Sequence, residues 1–405
     1  MDSFSMGGVG QISTCEMAIK KETFCVAPWF SLFLDSKGRL APCCKFKDPQ
    51  ERYNKVSEYF YSDKISKLRK DLMEGIKNPG CEACWRDEEN SGDSLRLMSN
   101  RNIPFHSKIN IHEQIKNPKL SNVKSFELTL GNLCNLKCVM CHPRCSSQLL
   151  AEVNVNEQLK NRYKPQDYDQ EKFNWPKNTE FVEWCDRYLP QAVHLKFTGG
   201  EPFLIPWIYD LIKKIPDEQK QKCVLHFNTN LTIINDKIFA EFKKFKQVWI
   251  SVSVEGIHDT FDYVRYGHSW KLLVENLRKI TSMEIENLNI KINHVIQTPS
   301  YHSILQMTNF FDDMNLEINP ILATFPAHYH ISALSKESKQ EFLDNTQNYK
   351  GFNINFIKFV RSVTKEHIEQ NCALTKACVN DLKQLDIIRK NNHADIIPKK
   401  NLSLY

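Results

Sequence analysis

The sequence predicts an α/β fold: a partial barrel of parallel strands, preceded by a small cysteine-rich hairpin module and followed by a mainly helical extension. Three observations predict it. From Val123 onward, short strand-like runs alternate with helical runs over six units, and such alternation implies parallel pairing through right-handed crossovers. Ahead of them, cysteines bracket a hairpin pattern. From residue 330 the chain is largely helical and ends in a basic tail.

The bulk composition fits this plan. With 405 residues, 41% hydrophobic and 25% charged, the chain can bury a sizeable core. A net charge of +6 is mild at this length and disfavours nucleic acid, which shows as a concentrated basic patch. Lys243, Lys244 and Lys246 read as the solvated face of one helix. No apolar run reaches the length of a membrane span. Residues 1–22 read as a flexible leader that lacks the basic start and apolar core of a signal peptide. The expected location is a reducing cytoplasm. There, 14 cysteines speak for metal or catalysis rather than disulfides.

Residues 23–101 form the expected cysteine-rich module. Phe30, Leu32 and Leu34 alternate with Ser31 and Phe33, residues 35–38 make a turn, and residues 39–41 return as a second strand. Cys25 precedes this hairpin and Cys43 and Cys44 follow it, so its closure makes them neighbours. Residues 53–76 read as one helix ended by Asn78-Pro79-Gly80. Cys81 and Cys84 follow as a C-x2-C pair, the tight spacing of a chelate. Tetrathiolate sites suit zinc and iron–sulfur alike, and either Cys43 or Cys44 can complete the set. Residues 102–122 read as a polar linker.

The expected barrel spans 123–329, with strands at 124–130, 193–198, 223–228, 247–254, 289–296 and 317–322. Residues 146–190 are long for a crossover and read as a surface insertion, a lid or substrate loop. In parallel α/β folds the ligand sits at the C-terminal strand ends. The chemistry should therefore collect there. The first strand leads to Cys134, Cys138 and Cys141, a C-x3-C-x2-C triplet on one loop. Three thiolates can hold three corners of a four-iron cube and leave the fourth iron open, with a zinc site or a chance thiol cluster as the alternative. The second strand ends in Gly199, Gly200 and Glu201, where missing Cβ atoms allow close approach to the backbone. The third ends near Asn228 and Asn230. Ser251, Ser253 and Glu255 share one face of the fourth at period two. His294 and Gln297 on the fifth strand face the pocket or pack in the core. Cys372 and Cys378 lie too far apart for a tight chelate and read as packed or free thiols.

The loop CNLKCVMC followed one strand later by GGEP resembles the radical S-adenosylmethionine (SAM) superfamily. The resemblance implies an incomplete (β/α)6 barrel of the radical SAM type. It implies a [4Fe–4S] cluster on Cys134, Cys138 and Cys141, whose open iron takes the amino and carboxylate groups of SAM. It assigns cofactor contacts to Gly199, Gly200, Glu201, Asn228, Asn230, Ser251, Ser253 and Glu255, and gives Arg265 to the cofactor's carboxylate. Relatives often carry Asp where Glu255 stands, and an aromatic residue where Met140 stands. The C-x12-G-x4-C spacing from Cys25 through Gly38 to Cys43, with Cys81 and Cys84, resembles a twitch (half-SPASM) module. That resemblance implies a second iron–sulfur cluster on Cys25, Cys43, Cys81 and Cys84, with zinc as the alternative.

The implied reaction is reductive cleavage of SAM to a 5′-deoxyadenosyl radical, which takes hydrogen from a peptide, protein or small-metabolite substrate. A donor such as flavodoxin or ferredoxin supplies the electron. The alternatives are an RNA-modifying enzyme of the same superfamily and a non-catalytic iron–sulfur or zinc protein. Cys145 adds a fourth cysteine to the loop. The pocket-building motifs around it predict that it is not a ligand of the SAM-bound cluster.

Overall fold

The structure is a computed structural model that describes residues 20, 22–47, 55–107, 110–163 and 173–403. Of the leader expected over 1–22, only Lys20 and Glu22 lie among the described residues, and 164–172 of the expected insertion lie outside them. The chain forms two compact units. One comprises residues 1–32 and 41–123, the other 33–40 and 124–405.

The first unit is mostly helical. The stretch 53–76 was expected as one helix, but it forms two, Val56–Phe60 and Asp63–Glu74. Ser62 is extended between them, and its hydroxyl accepts from the Ile65 amide. A serine can satisfy an exposed helix N-terminus in this way, and here that capping outweighs the continuous apolar pattern. Gly75, at φ +87°, ends the second helix before Asn78-Pro79-Gly80 is reached. Ile76 is consequently exposed rather than on the buried face. Arg69 is buried, donates to the carbonyls of Pro28 (2.8 Å) and Phe60 (3.0 Å), and lies 4.2 Å from the Phe60 ring centre. Residues 102–122, expected as a linker, carry the end of the helix Leu95–Ser107 and the helix Ile111–Lys116, and group with this unit. Gln114, fully buried, donates to the carbonyls of Trp29 and Lys119.

The hairpin consists of β1 (Ser31–Leu34) and β2 (Leu40–Ala41). Asp35 shapes its turn: one carboxylate oxygen accepts from the amides of Lys37 and Arg39, both at 2.9 Å. The larger unit then runs β3 (Ser125–Thr129), β4 (His194–Thr198), β5 (Val224–Thr229), β6 (Gln247–Ser253), β7 (Leu288–Ile296) and β8 (Glu317–Leu322). Neighbours in this order pair in parallel, and β8 ends the sheet, which is therefore open. This is the partial barrel that the sequence predicts, with each strand within a residue or two of its expected span.

The sheet has two chemically distinct faces. Phe126, Leu128, Leu195, Phe197, Leu225, Phe227, Val248 and Ile250 are buried on one, as strands covered by crossover helices require. The other face pairs polar groups across strands. Thr129 meets Thr198 at 2.8 Å, His226 meets Ser251 at 2.9 Å, and Lys196 meets Glu127 at 3.1 Å. The C-terminal helices Lys336–Asn345, Ile354–Glu366, Cys372–Arg389 and His393–Ile396 belong to the larger unit.

Candidate active site

The loop after β3 carries the three cysteines, and its path is fixed by its backbone. The amide of Lys137 donates to the Tyr266 carbonyl (2.9 Å) and that of Val139 to the Val264 carbonyl (2.8 Å). Arg162 donates to the carbonyl of Val139 (2.8 Å) and the Tyr163 hydroxyl to that of Cys141 (3.2 Å). Cys134 is held through its own peptide, whose N–H and C=O both meet the Ser147 hydroxyl. The loop is thus gripped from several elements, which orients thiols without engaging them.

Cys134, Cys138, Cys141, Gly199, Gly200, Asn228, Asn230, Ser253 and Arg265 line one cavity of about 170 Å3 at the C-terminal ends of the strands. The expectation that these residues meet is met by the fold itself. The Asn228 side-chain oxygen faces no partner although it is buried, and a buried unpaired acceptor costs about 1–3 kcal/mol. Such a group on a cavity wall suits a ligand donor. The nitrogen of Asn230 lies 3.8 Å from the Cys134 sulfur, and a guanidinium nitrogen of Arg265 lies 3.8 Å from the Cys138 sulfur.

Three expected residues stand behind this wall instead. Glu201 is fully buried, and its carboxylate accepts from the Thr229 hydroxyl (2.7 Å) and from the amides of Asn230 (2.6 Å) and Phe203 (3.0 Å). Burial outweighs these donors and lifts its pKa to about 7. Ser251 bonds to His226. Glu255 forms an ion pair with Arg265 and accepts from the Val295 amide at 3.3 Å. Burial opposes the charge of Arg265, but the Glu255 carboxylate more than offsets it and raises the guanidinium pKa. Arg265 therefore already holds a carboxylate within the protein. His294 and Gln297 are fully buried and do not line the cavity; His294 bonds to the Val254 carbonyl at 2.8 Å.

The paired glycines sharpen the picture. A Cβ on Gly200 would lie 2.2 Å from the Leu133 carbonyl oxygen, and one on Gly199 would lie 2.0 Å from the Thr129 methyl. Both residues also have positive φ, +73° at Gly199 and +48° at Gly200. The cluster loop itself makes the close approach that these positions allow, and the Glu201 amide donates to the Leu133 carbonyl at 2.7 Å.

A second cavity lies wholly within the first unit, lined by Cys25, Cys43, Cys81 and Cys84 together with Lys45 and Arg96. Cys44 is exposed and points elsewhere, so Cys43 is the member of that pair on the cavity. The segment after Cys84 secures this site. Asn100 grips both flanks of Cys25, accepting from the Val26 amide and donating to the Phe24 carbonyl, each at 2.8 Å. Arg96 donates to the Phe24 carbonyl (2.7 Å) and pairs with Glu88. Local spacing could show the four thiols but not this brace, which joins positions more than 70 residues apart.

The donor sets fit clusters. Among the described residues, no three Cys, His, Asp or Glu side chains converge on a single metal ion; the thiols line the two cavities. Burial pushes the thiol pKa of Cys134, Cys25 and Cys81 up to about 12, and raises those of Cys138, Cys141, Cys43 and Cys84 as well. Without metal these groups are protonated thiols, and iron would have to displace their protons. Cys378 is buried in the C-terminal core and Cys372 is exposed, both as free thiols.

Comparison with known proteins finds similarity over the same residues. Residues 128–310 match the model of the radical SAM superfamily. The similarity is to a radical SAM domain and extends over less than half of the 405 residues. No curated protein matches the chain. Among solved structures, it resembles native anSMEcpe with bound AdoMet and the Cp18Cys peptide, at 14% identity, 55% of this chain, 58% of that one and a TM-score of 0.35. It also resembles Streptococcus suis SuiB bound to S-adenosylmethionine, at 14% identity, 73% of this chain, 60% of that one and a TM-score of 0.36. TYW1 with a lysine-pyruvate adduct matches at 15% identity, 71% of this chain, 90% of that one and a TM-score of 0.32. The match thus spans about three fifths of anSMEcpe and of SuiB. Among the described residues, no helix is long and apolar enough to cross a membrane.

Proposed function

We propose that this chain is a radical SAM enzyme with an auxiliary iron–sulfur cluster, which takes hydrogen from a peptide or small-molecule substrate. One observation carries the reading: Cys134, Cys138 and Cys141 share a single cavity with two glycine backbones, an unpaired Asn228 oxygen, Ser253 and Arg265. An electron carrier has no use for such a ligand pocket. When bound, the cluster supplies the electron that cleaves SAM reductively, and the resulting radical does the hydrogen abstraction.

The chain's own residues bind and orient. Cys134, Cys138 and Cys141 hold the catalytic cluster. Gly199 and Gly200 offer backbone groups to SAM, and Asn228, Asn230 and Ser253 offer side chains. Glu201 and Ser251 act from behind, by fixing the ends of β4, β5 and β6. Glu255 aims Arg265 at the sulfur of Cys138. In the first unit, Cys25, Cys43, Cys81 and Cys84 hold the auxiliary cluster, in the manner of a twitch module. A flavodoxin or ferredoxin is the proposed electron donor, and the cytoplasm the proposed location.

The test is anaerobic reconstitution with iron and sulfide, followed by dithionite and SAM. We expect 5′-deoxyadenosine and methionine to accumulate. Its absence from reduced, cluster-loaded protein, alone or with candidate peptides and metabolites, would falsify the enzyme reading.

A further inference from the structure

The cavity that holds Cys134, Cys138 and Cys141 has a fourth thiol on its wall, Cys145. This thiol sits on the short turn Pro143–Cys145, and that turn is fastened to the cluster loop. Asn132 donates to the Pro143 carbonyl (3.0 Å) and accepts from the Ser147 amide through its own carbonyl (2.7 Å). The Ser146 hydroxyl donates to the Leu136 carbonyl. The fourth thiol is therefore held beside the other three.

A site that binds SAM needs one iron without a protein ligand, yet this cavity presents four thiols to a cube with four corners. We propose that Cys145 is an exchangeable fourth ligand, which closes the cluster when SAM is absent and yields its place when SAM binds. The proposal rests on the reading of Cys134, Cys138 and Cys141 as the permanent ligands. On closing, the Cys145 sulfur forms a bond to the fourth iron and its thiol proton leaves to water. On opening, the amino and carboxylate groups of SAM take that iron, the iron–sulfur bond to Cys145 breaks and the thiolate recovers a proton. No electron moves in either direction. The consequence is a cluster that keeps its labile iron during the intervals when the cofactor is missing.

The experiment compares the wild type with Cys145→Ala, both reconstituted anaerobically, with and without SAM. Each is exposed to ferricyanide, and the loss of one iron is followed by the electron paramagnetic resonance signal of a three-iron cluster. The auxiliary site is common to both proteins, so their difference isolates Cys145. We expect the variant to lose the labile iron several-fold faster without SAM, and both proteins to resist equally with SAM. Equal rates without SAM would overturn the proposal. A Cys145→Ala protein that assembles no catalytic cluster, while Cys145→Ser does and the wild-type spectrum ignores SAM, would make Cys145 a permanent ligand and also overturn it. The underlying reading fails separately, if Cys134→Ala, Cys138→Ala and Cys141→Ala each retain the SAM-responsive cluster.

Discussion

Arg265 shows how one side chain can be committed twice. Its guanidinium pairs with buried Glu255 and also points a nitrogen at the Cys138 sulfur. Hydrogen bonds to cluster sulfurs and nearby positive charge favour the reduced, more negative cluster, and so raise its potential. Arg265→Lys keeps the charge beside Glu255 but loses the fork that reaches both groups. We expect an intact cluster whose potential falls by roughly tens of millivolts, read by a spectroscopic redox titration. An unchanged potential would mean that the nitrogen–sulfur contact has no electronic role. Glu201 makes a different prediction. Three donors converge on its carboxylate, so Glu201→Gln must turn an amide nitrogen towards an N–H or O–H. The expected loss is about 1–3 kcal/mol of stability, measured by urea unfolding of the metal-free protein. The pH dependence has a definite sign. Burial raises this carboxyl from 4.5 to about 7, so the folded state binds its proton more tightly than the unfolded state. The contribution of Glu201 to stability is therefore greatest below pH 4.5 and is lost as pH rises through about 7. The Gln variant should lack that part of the slope.

At the scale of elements, the C-terminal helix Cys372–Arg389 is a clamp on the cluster loop. Asp381 on this helix pairs with Arg162 at 3.1 Å and accepts from the Tyr329 hydroxyl, while Arg162 holds the Val139 carbonyl. Arg389 pairs with Glu152 at 2.8 Å, and Glu152 with Lys137 at 2.9 Å, on the loop itself. Removing one charge of a buried pair leaves the other uncompensated. Asp381→Asn should therefore cost about 3 kcal/mol of stability and loosen cluster retention, seen as faster iron release to a chelator. Full stability in that variant would refute the clamp. None of this was legible in the sequence, because the partners lie up to 237 residues apart. The strands were legible, since alternation and glycine punctuation are local. So were the cavity cysteines and Gly199-Gly200, whose spacing is local too. The inward turn of Glu201 and the Glu255–Arg265 pair were not, because each depends on which neighbouring strand end supplies its partners. The broken helix at Ser62 lay within reach of local reasoning; a capping serine was present inside the apolar pattern.

For the molecule as a whole, the two thiol sites belong to different units and differ in what surrounds them. The first-unit cavity encloses only about 20 Å3, whereas the barrel cavity encloses about 170 Å3. Every one of the four cysteines on the small cavity is a candidate ligand. The large one has room for a ligand and three thiols on a loop fixed by backbone bonds. On the proposed function, this contrast assigns the electron role to the small site and the chemistry to the large one. Changing Cys81 and Cys84 together to Ala should accordingly halve the iron and sulfide per chain, while SAM binding and its reductive cleavage persist. Turnover of substrate should fall far more than cleavage, because an electron taken from the substrate radical loses its acceptor. The iron count and 5′-deoxyadenosine formation, measured on the same preparation, separate the outcomes. Unchanged iron with lost zinc would make the first-unit site a zinc knuckle. Loss of both iron and cleavage would mean that the two sites do not assemble independently.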